Sequence, residues 1–136
     1  MKVLGAHMSI AGGVDQAVIR GAEVGCDAIQ IFTKSSNQWR AKKLGDDEVE
    51  RFRAAQKAKG ISPVVAHDSY LINLASPDAA LHARSTAAFG EELDRCDLLG
   101  IPYLVTHPGS HVGSGEEAGI QRIAAALNAL FRQRPG

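Results

Sequence analysis

The chain has 136 residues, 45% of them apolar and 22% charged, and its 15 basic and 15 acidic residues give a formal net charge of zero. This composition is typical of one globular domain, and the balanced charge excludes a global attraction to nucleic acid or to an anionic membrane, so any such partner has to be met locally. No run approaches the roughly 18 apolar residues of a membrane span, and no targeting segment is visible, so we expect a cytoplasmic protein that contacts no membrane.

One unit occurs four times along the chain: a short apolar strand, polar residues, a segment with helical spacing and a glycine. The predicted strands are KVLGAH (2–7), AIQIFT (28–33), PVVAHD (63–68) and YLVTHP (103–108). The order βαβαβαβα, with nearly continuous apolar strands, predicts an α/β fold with a parallel four-stranded sheet covered by helices. The sheet could be closed as a barrel or open and doubly wound.

The first two helices are predicted from apolar spacing and from the glycines that end them. The first runs from about Val14 to Gly25, and the second carries Val49 and Phe52 and ends near Gly60. Cys26 and Cys96 lie far apart in apolar stretches, which favours buried, reduced thiols over a disulfide.

The last two helices are predicted from their first residues. The third begins with Ser76 as N-cap and Pro77 in the first helical position. The fourth opens with Ser114 and Glu117 at capping-box spacing. Its apolar spacing predicts that four residues are buried: Ile120, Ile123, Leu127 and Leu130.

Three histidines end predicted strands, at the edge where parallel α/β sheets collect ligands. His7, His67 and His107 end the first, third and fourth strands. A single histidine there is more often structural, but neighbouring parallel strands lie about 5 Å apart, so three could share one ion, and neutral imidazole suits Zn²⁺. Asp68 is a candidate to orient an imidazole. His111 could contact a phosphate or simply lie in a loop.

The segment TKSSNQWRAKK, here called loop 33–43, follows the second strand. It carries four basic residues, no acidic one and the only tryptophan, Trp39. Basic, amide and aromatic side chains together can bind phosphates and stack on bases. Alternatively, the loop is solvated and Trp39 packs against the rim of the barrel. After the fourth strand, Gly109 and Ser110 in HPGS could bring a backbone amide close to a phosphate.

Four segments together resemble the amino-terminal half of endonuclease IV, the zinc-dependent apurinic/apyrimidinic endonuclease: GAHMSIAGG, FTKSSNQWR, HDSYLINL and THPGSH. The resemblance runs from residue 1 to about residue 131. It implies half of a TIM barrel, (βα)4, from a DNA-repair enzyme with three zinc ions. The implied reaction is hydrolysis of the phosphodiester 5′ to an abasic site by zinc-bound hydroxide.

The resemblance also implies roles for particular residues. His67 and His107 match two ligands of one zinc, and Tyr70 matches a residue that wedges into DNA at the lesion. The residues that match the minor-groove recognition loop are Gln38, Trp39 and Arg40. The family's inserting arginine aligns with Asn37, which departs from the pattern. Four further side chains could line the site: His7, Asp68, Ser110 and His111.

The sequence predicts four βα units, whereas the barrel of the family has eight. We therefore expect one half-barrel domain over 1–136, a truncated or partial form of the (βα)8 barrel, with no complete metal or catalytic site of its own. Such a half leaves two sheet edges unpaired and exposes side chains meant for a barrel interior. We expect it to associate with a second copy or with a carboxyl-terminal half, and to have little or no activity alone.

Two other functions remain open from the sequence. One is a metal-dependent sugar isomerase or epimerase on the related TIM barrel, which the neutral charge favours and the segments NQWR and HDSYLIN oppose. The other is a non-catalytic half-barrel that serves assembly. A steep fall of affinity with salt would distinguish DNA binding from sugar turnover.

Overall fold

Four β-strands alternate with four α-helices in the computed structural model, which describes residues 2–134. The elements are β1 (Gly5–His7), α1 (Val14–Glu23), β2 (Ala28–Phe32), α2 (Asp46–Lys59), β3 (Val64–His67), α3 (Ala79–Leu99), β4 (Tyr103–Val105) and α4 (Glu116–Gln133). All neighbouring strands are parallel and their order in the sheet is β1-β2-β3-β4. The predicted α/β fold with a parallel four-stranded sheet is confirmed. Within residues 2–134, no helix combines the length and the apolar character that a membrane span requires.

The two faces of the sheet differ in burial because successive side chains point to opposite sides. One face packs under the helices through residues that are at most 2% exposed: Ile29, Ile31, Val64 and Ala66. On the other face Phe32, His67 and Val105 lie level with one another in register. Val105 is 42% exposed and Tyr103, on the same edge strand, is 59% exposed. The face that would line a barrel interior therefore carries apolar side chains with little cover.

The core lies between the sheet and the helices in two clusters. The larger cluster joins α1, α2 and the end of α3 to the sheet, and Phe52 is the one residue of α2 that is buried. Burying a side chain of this size contributes roughly 1.5–3 kcal/mol. The smaller cluster lies between α3 and α4, around Phe89 and Leu130.

The first residues of α3 and α4 differ from the prediction. Asp78, not Ser76, caps α3, because its carboxylate accepts a hydrogen bond from the Leu81 amide at 2.7 Å. The Ser76 hydroxyl is buried and accepts from the Asp78 amide at 3.2 Å. The capping box predicted for α4 is absent, because the Ser114 hydroxyl donates to the His111 carbonyl instead.

Helix α4 is also less buried than its spacing predicts. Leu130 is buried, Ile123 and Leu127 are partly buried, and Ile120 is 60% exposed. The burial of Ile120 was wrongly predicted because α4 packs on α3 with one side only, and the side with Ile120 and Phe131 has no cover among the described residues.

Candidate functional site

The carboxyl edge of β3 and β4 holds a cleft of about 390 Å³. His67 is the last residue of β3, whereas His107 lies two residues beyond Val105, where β4 ends. The ring centroids of His67 and His107 are 5.0 Å apart, and that of Tyr70 lies 5.8 Å from His67. Of these three, Tyr70 and His107 line the cleft, together with Asp68, Ser69, Ile72, Asn73, Pro108, Gly109 and Ser110. The sheet therefore brings two of the predicted zinc ligands and the predicted wedge residue to one place.

The imidazole of His67 is held in one orientation. Its Nδ1 lies 2.8 Å from the main-chain carbonyl oxygen of Asp68. Because a carbonyl only accepts, Nδ1 carries the proton and the lone pair of the neutral ring is on Nε2, as a metal ligand requires. The carboxylate of Asp68 is farther, 3.6 Å from Nδ1, and accepts a hydrogen bond from the Thr106 hydroxyl at 2.7 Å. Asp68 thus orients His67 mainly through its backbone.

Burial changes the chemistry of the Asp68 carboxyl. Its side chain is almost fully enclosed, and this desolvation raises its pKa above the ordinary value, although the Thr106 hydrogen bond acts in the opposite direction. A carboxyl that is buried and already bonded to Thr106 is a poor candidate for a direct metal ligand.

The spacing of His67 and His107 fits one zinc ion. A nitrogen about 2.1 Å from zinc places the centroid of its ring roughly 3.2 Å from the ion, and a tetrahedral angle then separates two centroids by about 5 Å. The observed separation is 5.0 Å. Across residues 2–134 no group of three or more His, Cys, Asp or Glu side chains converges as a metal site. The donor set therefore suits zinc but supplies only part of its coordination.

His7 does not join the other two histidines. Its ring packs on Phe32 at 4.6 Å between centroids, and Phe32 in turn packs on His67 at 5.6 Å. Gln30 lies within hydrogen-bond distance of His7 Nδ1, at 2.9 Å. Burial, and to a lesser extent the neighbouring His67, lower the pKa of His7. The expectation that three histidines share one ion is wrong, because β2 places an aromatic ring between β1 and β3.

Loop 33–43 presents fewer charges to solvent than its composition indicates. Lys34 is only 5% exposed and lies 3.8 Å from the carboxylate of the buried Glu92. It also donates to the Gln38 carbonyl at 2.7 Å. Lys34 is therefore paired within the protein and not available to a ligand. The exposed cations of the loop are Arg40, Lys42 and Lys43.

Trp39 packs against the protein instead of standing free. It is partly buried against the cluster around Phe89. The Arg84 guanidinium lies 4.3 Å from the centre of its ring, a cation–π contact. The loop residues with exposed side chains at its tip are Asn37, Gln38 and Arg40.

Asn73 joins the loops that follow β3 and β4, and the sequence did not single it out. Its Nδ2 donates to the Ser110 carbonyl at 3.0 Å, and its Oδ1 accepts from the Ser110 amide at 2.9 Å and from the Ala75 amide at 3.1 Å. Both main-chain groups of Ser110 are thus occupied, so its amide is not free for a phosphate. The one feature of the sequence that could have indicated this role is the residue type, because asparagine side chains often form hydrogen bonds with the backbone near a turn.

His111 lies outside the residues that line the cleft. Its Nδ1 accepts a hydrogen bond from the Gly115 amide at 3.2 Å, and its carbonyl accepts from Ser114. His111 therefore shapes the turn that leads into α4.

Comparison with known proteins identifies the family. A parallel sheet of four βα units, with a candidate site at its carboxyl edge, is the arrangement of half a TIM barrel. A family model described as xylose isomerase-like TIM barrel matches residues 18–135, and the chain belongs to this family.

Within this family the chain is similar to proteins named probable endonuclease 4. It is 54% identical to that of Chloroflexus aurantiacus over 136 residues, which is 100% of this chain and 48% of the relative. It is 52% identical to that of Geobacter sulfurreducens over 132 residues, 97% of this chain and 45% of the relative. The chain thus spans about half the length of the curated relatives it matches. The resemblance to the amino-terminal half of endonuclease IV is confirmed.

Solved structures agree with this assignment. Endonuclease IV from Thermus thermophilus matches with a TM-score of 0.83 and 40% identity, over 95% of this chain and 46% of that one. A D-psicose 3-epimerase matches with a TM-score of 0.69 and 20% identity, over 94% of this chain and 47% of that one. At that identity the epimerase shows a shared fold and nothing about substrate.

Proposed function

We propose that this chain forms the lesion-binding half of a zinc-dependent endonuclease that hydrolyses the phosphodiester 5′ to an abasic site in duplex DNA. The observation that carries the proposal is the convergence of His67, His107 and Tyr70 at one edge of the sheet. The identity of about 50% to proteins named endonuclease 4 supports the same activity.

His67 and His107 would hold one zinc ion through a ring nitrogen each. The Asp68 carbonyl keeps His67 in the tautomer that can bind metal. When bound, zinc lowers the pKa of a coordinated water from 15.7 to about 7 and polarises a phosphoryl oxygen. The protein's own part is to fix the direction of the His67 imidazole and to keep Asp68, bonded to Thr106, out of the coordination shell.

Tyr70 and loop 33–43 would contact the DNA. Tyr70 is 63% exposed, and its ring centroid lies 6.4 Å from that of His107, so an aromatic ring stands beside the metal ligands. An abasic nucleotide has lost its stacking and costs less to extrude than an intact one, so a wedge here selects for the lesion. The side chain of Asn37 is shorter than the family's arginine and carries no charge, so we expect it to insert less strongly into the DNA.

Two ligands do not complete a zinc site, so cleavage requires a further contribution. We propose that a carboxyl-terminal half or a second copy of the chain supplies the remaining ligands across the uncovered sheet edges. An epimerase function is not favoured, because the similarity to epimerases is limited to the fold.

Binding of an abasic duplex tests the proposal directly. We expect the chain with Zn²⁺ to bind a labelled duplex carrying one abasic analogue about tenfold more tightly than the intact duplex, measured by fluorescence anisotropy. Tyr70→Ala should remove this preference. Tyr103→Ala is the matched control, because Tyr103 is 59% exposed at the start of β4, at the opposite end of the strands. Equal binding of both duplexes by the unmodified chain would contradict the proposal.

Zinc binding is measured separately by calorimetry. His107→Ala should weaken binding by more than about tenfold, whereas His82→Ala, on α3 and outside the cleft, should not. A nicking assay with added Zn²⁺ or with chelator then shows whether copies of the chain assemble a working site. Equal zinc affinity of the two variants would show that His107 is not a zinc ligand.

A further inference from the structure

Loop 33–43 is held at both ends by one side chain of α3. Arg95 donates through Nη2 to the Thr33 carbonyl and through Nη1 to the Lys42 carbonyl at 2.9 Å, and its Nε donates to the Thr33 hydroxyl at 3.2 Å. The two carbonyls are nine residues apart in the chain. A guanidinium has donors in a rigid, planar fork, so it can fix two separate segments at once.

A buried ion pair holds the middle of the loop. Glu92, 1% exposed, accepts from the Thr33 hydroxyl at 2.6 Å and lies 3.8 Å from the Lys34 ammonium. Lys34 reaches forward to the Gln38 carbonyl at 2.7 Å. Because a buried charge is costly without partners, this pair strongly favours the one loop conformation in which both charges are satisfied.

Two more contacts fix the tip of the loop to its neighbours. The Ser69 hydroxyl, just beyond β3, donates to the Ser36 carbonyl at 2.6 Å. Arg84 of α3 covers the ring of Trp39 at 4.3 Å. The first contact joins the loop to the segment that also carries Tyr70.

We infer that Arg95 and Glu92 are positioning residues for DNA recognition: they hold loop 33–43 in its binding conformation before DNA arrives. This inference rests on the proposed function for its DNA partner. Loop 33–43 contains no helix or strand, yet the carbonyls of Thr33, Gln38 and Lys42 are all occupied by side chains. Preorganisation of this kind raises affinity because the ordering entropy is not lost on binding.

The sole tryptophan makes the loop observable without DNA. Trp39 lies within the loop, so its quenching by acrylamide reports how well the loop is ordered. Arg95→Lys keeps the charge but cannot reach both carbonyls, so quenching should increase and the affinity for the abasic duplex should fall about tenfold. Arg51→Lys is the matched control, because Arg51 is an exposed arginine of α2 whose one ion pair within residues 2–134 is with Asp47.

Glu92→Gln is a second variant with the same expected direction. Circular dichroism at the assay temperature verifies that each variant keeps the helix content of the unmodified chain, which separates loop release from unfolding. If Arg95→Lys leaves Trp39 as protected as in the unmodified chain, the inference is overturned. Increased quenching with unchanged affinity overturns it too, because the order of the loop would then play no part in binding. If the unmodified chain itself shows no preference for abasic DNA, the proposed function fails, and quenching alone decides whether α3 positions the loop.

Discussion

Replacement of Asn73 by alanine tests how the loops that carry the candidate site are held together. The side-chain amide of Asn73 makes three hydrogen bonds, two with the main chain of Ser110 and one with the amide of Ala75. Alanine removes all three but keeps the bond from the backbone amide of residue 73 to the Ser85 hydroxyl. The loop after β4, which carries His107, then loses the two hydrogen bonds between Asn73 and Ser110 that join it to the loop after β3, while the Thr106–Asp68 bond remains.

The expected loss of stability follows from these contacts. Each hydrogen bond contributes about 1 kcal/mol, and because Asn73 is partly exposed, water replaces part of that, which leaves about 2 kcal/mol for Asn73→Ala. In a chain of this length such a loss lowers the melting temperature by about 8 °C. If the loss is local, exchange of the Ser110 amide proton should speed up about 30-fold.

Thermal unfolding followed by circular dichroism measures the global effect, and hydrogen exchange by NMR measures the local one. Asn128→Ala, on the exposed side of α4, is the control. Its melting temperature should equal that of the unmodified chain. A melting temperature of Asn73→Ala within about 1 °C of that of the unmodified chain, together with unchanged exchange at Ser110, would refute the role of Asn73 in joining the two loops.

Three further predictions concern the core and the ionisable groups. Phe52→Ala should lower the free energy of unfolding in urea by about 3–5 kcal/mol, because Phe52 is fully buried. Phe131→Ala should lower it far less, because Phe131 is 53% exposed. Equal losses for the two variants would contradict the packing of α2. Iodoacetamide at pH 8 should label Cys26 and spare Cys96, because burial raises the pKa of Cys96 to about 12; equal labelling rates would contradict this. His7 should titrate by NMR below 6.5, because its neutral form is favoured in the fold. Its contribution to stability is therefore present above pH 6.5 and lost as the pH falls through the lower folded pKa. A midpoint above 6.5 would contradict the desolvation of His7 by its neighbours.

The sequence by itself determined the order of elements and the edge of the sheet where a site could form. Strand and helix periods are local properties, and Gly60 and Gly100, which end α2 and α3, adopt the left-handed conformation that glycine tolerates. Because parallel strands place their carboxyl ends at one edge, the positions of His67 and His107 in the chain were enough to predict their proximity.

Local signals alone did not decide between nearby alternatives. Ser76 and Asp78 are both good N-caps, and the path of the backbone into α3 selected Asp78. The apolar spacing of α4 predicted burial for Ile120, but burial also requires a neighbouring element, and among the described residues none covers that side.

Only the tertiary structure decided which polar groups remain available for a ligand. It buried Lys34 against Glu92, which is 58 residues away in the chain, and so removed one of the four cations counted in loop 33–43. It placed Phe32 between His7 and His67, and it joined Asn73 to Ser110. The physical reason is common to these cases: the free energy of a charge or a hydrogen-bonding group depends on the partners and water around it, and residues distant in the chain supply those partners only once the fold has formed.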